Sequence, residues 1–193
     1  IPLIIKKDIH LIQISTDQVY SGAGPHSEEK VSPLNIYSLT KYMAELVAAK
    51  GFSTILRTNY VGKSRKKDKL SLVDWMYESF SKRKQIKLFD DIIFSPLYTY
   101  DLCECIDLVI KNPVKGTYNL GSKDSISKAK FALNFAKRLG LSSKNAIVAS
   151  YKETNSVLQK PSDMSLCINN FENEFKFKLP TIEETLNKVC LDF

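Results

Sequence analysis

Tyr37 and Lys41 stand four residues apart in NIYSLTKYMAEL, residues 35–46. Four residues is about one helical turn, so on a helix both project from the same face. A free tyrosine titrates near 10, and lowering that by about three pH units takes roughly 4 kcal/mol of differential interaction. An ammonium fixed nearby works in this direction, because it favours the phenolate. A tyrosine and a lysine at this spacing also occur by chance in many helices, so the pair needs company. Two other groups supply it: Ser15, Thr16 and Asp17 end one apolar run, and Asn59 and Tyr60 sit at the end of the next. Brought together, these residues make a proton-transfer site. Thr16 orients a substrate oxygen, and Tyr37 passes it a proton as hydride reaches the carbon.

The elements that must position these groups are legible in the pattern. Residues 10–16 (HLIQIST) are apolar and β-prone and end in small polar residues, the mark of a buried strand opening into a loop. SGAGPHSEEKVSP is that loop. The helix carrying Tyr37 and Lys41 continues through Ala44, Val47 and Ala48 and stops near Gly51. Residues 52–61 (FSTILRTNYV) read as a second buried strand. Strand, helix, strand predicts a parallel sheet, and in open α/β sheets reacting groups gather beyond the carboxyl ends of the strands. Further on, residues 70–82 read as a helix whose Leu72, Trp75, Met76 and Phe80 form a core stripe, not a ligand site. Residues 85–89 read as a short strand, with Thr99 as N-cap of a helix over 100–111. A strand over 116–121, a helix over 127–139 ended by Gly140, and a strand over 146–150 follow. Thr181 caps the last helix, with Glu183 and Glu184 in its first turn.

Composition sets outer limits. The chain has 193 residues, 44% hydrophobic and 25% charged, which describes a globular protein with a sizeable core. No apolar run approaches the length of a membrane span, and the N-terminal stretch does not read as a signal peptide. Cys103, Cys105, Cys167 and Cys190 form no C-x-x-C pair and read as free thiols in a reducing cytoplasm. With only His10 and His26 and no His/Cys cluster, no metal site is expected. The net charge of +7 is partly local, in KSRKKDK (63–69) and KRK (82–84). These are either solvated surface or an anion site for phosphates. Aromatic residues do not interleave with them, which argues against nucleic acid as a partner.

STDQVYSG (15–22), SPLNIYSLTKYMAE (32–45) and LRTNYVGKS (56–64) together resemble the extended short-chain dehydrogenase/reductase superfamily. Within it they are most similar to dTDP-4-dehydrorhamnose reductases and related sugar-nucleotide reductases of bacterial polysaccharide pathways. FDDIIFSPLYTYDL (89–102), GTYNLGS (116–122) and KPSDMSL (160–166) continue the likeness in the same order. The resemblance implies an α/β fold: part of a Rossmann-like doubly wound parallel sheet with a small α+β substrate domain. Residues 1–62 would hold the catalytic part of the Rossmann-like domain, 63–89 a substrate-domain segment, 90–121 a return to the sheet, and 122–193 the substrate-binding domain. Thr16, Tyr37 and Lys41 match the catalytic residues. Tyr37, Lys41 and Asn59 match contacts to an NADP or NAD cofactor. Asp17, Tyr60, Lys63, Arg65 and Lys160 match substrate contacts, the last three toward a diphosphate. The implied activity is NAD(P)H-dependent reduction of a nucleotide-activated 4-keto-6-deoxy sugar, in the cytoplasm, away from membranes. A homodimer of the complete protein is a further expectation.

Two other readings stay open: a dehydratase or epimerase, and a non-catalytic sugar-nucleotide-binding subunit of the same fold. Dehydratases that resemble this chain carry Thr-Asp-Glu where it has Thr16-Asp17-Gln18, and an amide cannot hand over the second proton. The G-x-x-G-x-x-G turn that holds a cofactor pyrophosphate finds no match in the 193 residues. At roughly 30 residues for each βα unit, about 100 residues are expected ahead of Ile1. The chain alone is therefore expected to bind the cofactor poorly.

Overall fold

The computed structural model describes residue 7 and residues 9–66, 68–154 and 159–193. Strand β1 (Leu11–Thr16) runs into a 3-10 turn at Asp17–Val19, and a long loop leads to α1 (Ile36–Ala48). Then come β2 (Ser53–Thr58), β3 (Tyr60–Val61), α2 (Leu72–Ser81), β4 (Ile86–Phe89), β5 (Ile93–Phe94) and β6 (Leu97–Tyr98). They are followed by α3 (Thr99–Lys111), β7 (Gly116–Leu120), β8 (Ile126–Ser127), α4 (Lys128–Arg138) and β9 (Ala146–Ala149). Last come β10 (Asp163–Met164), α5 (Asn169–Phe175) and α6 (Ile182–Cys190).

β1, β2 and β7 form a parallel sheet in that order, with Thr16 level with Thr58 and Thr58 level with Leu120. Every residue of β2 is buried, because it is the central strand of the sheet; only Ile55 and Leu56 of its six residues are apolar, and the buried Arg57 is paired with Glu45. Smaller sheets join β3 to β6 and β4 to β9 in parallel, while β5 lies between β10 and β8. The fold is mixed α/β, built on parallel strands. One core, with Leu56, Leu97, Leu102, Tyr118 and Leu120, lies against the main sheet and takes in Phe171, Phe175 and Leu179 around α5. The other packs α2, α4 and α6 around Met76, Phe80, Phe94, Phe131, Phe135 and Leu186. The four cysteines are free thiols. Among the described residues no helix is long and apolar enough to cross a membrane.

Helix starts follow local chemistry. Asn35 and Ser38 form a capping box at α1, Ser71 and Asp74 one at α2, and Thr181 and Glu184 one at α6. Gly140 takes φ of +66° just past α4, the left-handed conformation a helix end favours.

Three expectations need correction. The run 52–61 is two strands, because Asn59 leaves the main sheet: its carbonyl accepts from Leu97 N at 2.9 Å, which sets β3 beside β6. Thr99 is the first residue of α3, not its cap. Its hydroxyl donates to the Val61 carbonyl at 3.1 Å and so ties the helix to β3. The stripe on α2 is not wholly core. Val73, Met76 and Phe80 are buried, but Trp75 is 38% exposed. Leu72, Trp75 and Met76 also line a cavity.

Candidate active site

Thr16 and Asp17 sit at the carboxyl end of β1, buried where the chain turns. Thr16 caps the 3-10 turn: its Oγ1 accepts from Gln18 N at 3.2 Å and donates to Asp17 Oδ1 at 3.2 Å. Asn59, at the end of β2, donates from Nδ2 to Asp17 Oδ2 at 2.6 Å. The parallel register makes this possible by bringing Thr16 level with Thr58. Both carboxylate oxygens of Asp17 are thus occupied in a site only 1% exposed. Burial pushes the Asp17 carboxyl up, opposed by Asn59, Lys128 and Thr16 in that order.

α1 delivers the other two groups. Lys41 donates from Nζ to the Ile14 carbonyl at 2.7 Å, which pins its ammonium against β1 two residues before Thr16. Tyr37, one turn earlier, is 52% exposed and lines a groove of about 590 Å³ with Gln18, Asn35 and Lys160. The helix is held in place by a buried ion pair. Arg57 of β2 meets both carboxylate oxygens of Glu45, with Nη2 at 2.6 Å from Oε2, and Ser15 donates to the same carboxylate. Arg57 Nη1 also donates to Tyr20 Oη and to the Glu28 carbonyl, each at 2.8 Å. Helix, strand end and loop are therefore fixed to one another beneath the reacting edge.

Beside this edge lies a cavity of about 310 Å³. Gln18, Asn59, Lys87, Lys128 and Lys160 give it polar groups, and Leu72, Trp75, Met76, Phe89 and Met164 give it apolar wall. Gln18 and Lys160 line both this cavity and the Tyr37 groove, so the two spaces adjoin. Lys160 stands over the Tyr151 ring at 5.4 Å.

The structure brings Thr16, Asp17 and Asn59 into contact, with Tyr37, Lys41 and Lys160 close by. It places Tyr60, Lys63 and Arg65 elsewhere, in a groove of about 780 Å³ that touches the cavity only at Leu72. There Lys63 donates to the Asp192 carbonyl at 2.7 Å and Arg65 to Tyr100 Oη at 2.6 Å. These two cations are engaged by surface groups of the chain itself. Lys128 escaped the sequence reasoning. It is half-buried and lines the cavity, and burial lowers its ammonium to about 8, with Asp17 opposing and Lys160 adding to the depression. A signal was there to be read: a lysine directly after the capping Ser127 occupies the positive end of a helix, where cations are disfavoured.

Residues 4–193 match the family described as the RmlD substrate binding domain. The spore coat polysaccharide biosynthesis protein SpsK of Bacillus subtilis (strain 168) is 30% identical over 138 residues, 67% of this chain and 46% of that protein. Among solved structures, a dTDP-4-dehydrorhamnose reductase from Bacillus anthracis in complex with NADP superposes with a TM-score of 0.86 at 26% identity. That match covers 96% of this chain and 66% of that one. A dTDP-glucose 4,6-dehydratase from the same organism, in complex with NAD, has a TM-score of 0.80 at 23% identity and shows the shared fold. It covers 98% of this chain and 63% of the dehydratase. The chain thus spans about half the length of SpsK and under two thirds of these two solved chains.

Proposed function

The chain belongs to the RmlD substrate binding domain family, and from that premise we propose that it carries the reacting groups and substrate pocket of a sugar-nucleotide reductase. The substrate is a nucleotide-activated 4-keto-6-deoxy sugar and the cofactor NADPH or NADH. One observation carries this reading. Thr16, Asp17 and Asn59 meet at the carboxyl ends of two adjacent parallel strands, with Lys41 anchored beside them and Tyr37 facing an adjoining groove. We also read the chain as two parts. Residues 1–62 and 90–121 build the sheet, and 63–89 and 122–193 build the pocket, with the segment around α5 crossing back onto the first core.

The donor set suits the nicotinamide end of the cofactor. A half-exposed phenol and a nearby ammonium offer hydrogen bonds to a ribose, and Asn59 lies at the same edge. When bound, the reduced nicotinamide supplies hydride to the carbonyl carbon. Tyr37 Oη gives its proton to the carbonyl oxygen, so the ketone becomes an alcohol. Lys41 stabilises the phenolate left behind. Thr16 orients the carbonyl oxygen once its proton rotates off Asp17 Oδ1, a long bond at 3.2 Å and readily exchanged. Leu72, Trp75 and Met164 give the cavity beside this edge an apolar wall against which a sugar ring can lie.

Gln18 separates this reading from a dehydratase, and cofactor stoichiometry separates it from an epimerase. It lines the cavity beside the reacting edge, and its amide has no acidic proton to give. The complete protein, supplied with dTDP-4-dehydrorhamnose and NADPH or NADH, is expected to consume one reduced cofactor for each sugar reduced. Sugar conversion without net loss of reduced cofactor would replace the reductase reading with the dehydratase or epimerase one.

A further inference from the structure

Among the described residues, the cavity beside Asn59 is lined by three lysines, Lys87, Lys128 and Lys160, and by no acidic side chain. Lys128 is the unusual one. It is half-buried at the first residue of α4, where the helix dipole also disfavours a cation. Among the described residues its ammonium has no hydrogen bond and no ion pair; its close contact is the Phe94 ring, 3.5 Å from the centroid. The buried carboxyl whose charge acts on it, Asp17, already has both oxygens occupied by Thr16 and Asn59. A cation held this way lacks its counter-charge, and the cavity it lines is where one can enter. Lys160 lies near enough to depress Lys128 further, so an anion between them would relieve both burial and repulsion.

We propose that Lys128 is an additional diphosphate contact in this cavity, acting beside Lys160, to which the family resemblance already gives that role, and in place of the basic loop at Lys63 and Arg65. The identity of the anion rests on the sugar-nucleotide reading above; the two-lysine anion site does not. Lys128 then fixes where along the cavity the charged part of the ligand lies. Trp75 and Phe89 are left to contact the flat or apolar part.

Trp75 is the single tryptophan of the chain and lines the cavity, so its fluorescence reports occupancy. The full chain is titrated with inorganic diphosphate, thymidine and thymidine diphosphate, as parent, Lys128→Met, Lys128→Arg and, as a charge-matched surface control, Lys50→Met. Both diphosphates are expected to perturb Trp75. In Lys128→Met their Kd should rise about tenfold or more, the loss of one charge-assisted contact, about 1.4 kcal/mol. Lys128→Arg should retain most of the affinity, and Lys50→Met and thymidine binding should be unaffected. Thermal unfolding confirms that each variant is folded. Lys128-dependent binding of inorganic diphosphate, with thymidine diphosphate no tighter, upholds the anion site and counts against the nucleotide. Thymidine diphosphate binding that is indifferent to Lys128→Met overturns the proposal and leaves the sugar-nucleotide reading standing. Absence of any response to either diphosphate overturns it too.

Discussion

Lys128 holds its charge against the interests of the folded state, and that has a measurable sign. Its ammonium falls from 10.5 to about 8 on folding, chiefly through burial. Between those values the unfolded chain binds more protons than the folded one, so this group makes stability rise with pH across that window. Below about pH 8 its destabilisation is fully present. Lys128→Met should therefore raise stability at neutral pH by about 1–3 kcal/mol, several degrees in Tm for a chain of this size. It should also flatten the pH dependence of Tm between about pH 8 and 10.5. A variant that melts below the parent at pH 7 would show that Lys128 is a structural cation. At this scale the sequence was partly legible. Thr16, Tyr37 and Lys41 stood out by type and spacing. Lys128 did not, because a single lysine gains meaning only when two distant segments close a cavity over it.

At the scale of elements, α1 is held to the sheet by Arg57 and Glu45, each almost fully buried. Burying both charges is expensive, and leaving one of them alone is more so. Arg57→Met and Glu45→Met should each cost about 3–5 kcal/mol in urea denaturation, and the double variant less than their sum. Additive losses would mean that the two residues act separately. Activity of the complete protein should fall with either single change, since α1 carries Tyr37 and Lys41. Elements with strong local signals were readable in advance. Thr181 as the cap of α6 and Gly140 as the stop of α4 needed nothing from the rest of the chain. The break at Asn59 and the role of Thr99 were not readable, because both depend on β6 arriving from almost forty residues downstream. Trp75 was misread for a related reason: helical spacing tells which face is apolar, not whether a cavity opens against it.

The whole molecule rests on two hydrophobic cores, and Gly121, just past β7, marks a close backbone approach beside them. A Cβ placed there would lie 2.7 Å from the Ser95 carbonyl oxygen, which belongs to the turn between β5 and β6. Neither backbone yields easily, so Gly121→Ala should destabilise by about 1–3 kcal/mol. An unchanged Tm would mean that the backbone around Gly121 and Ser95 gives way without cost. The α/β class and the parallel sheet were readable from the order of elements. Which groove the basic loop faces was not, since its charges have the same composition wherever the loop lies. In the proposed reaction Tyr37, on α1, donates the proton beside the end of β1. The most direct measurement is turnover of the complete protein carrying Tyr37→Phe, with Tm measured alongside. The side chain is 52% exposed, so loss of one hydroxyl should leave Tm at the parent value. Turnover should fall by about 10²–10⁴-fold, the range for removing a positioned general acid. Turnover near the parent level, in a variant that melts like the parent, would contradict the account.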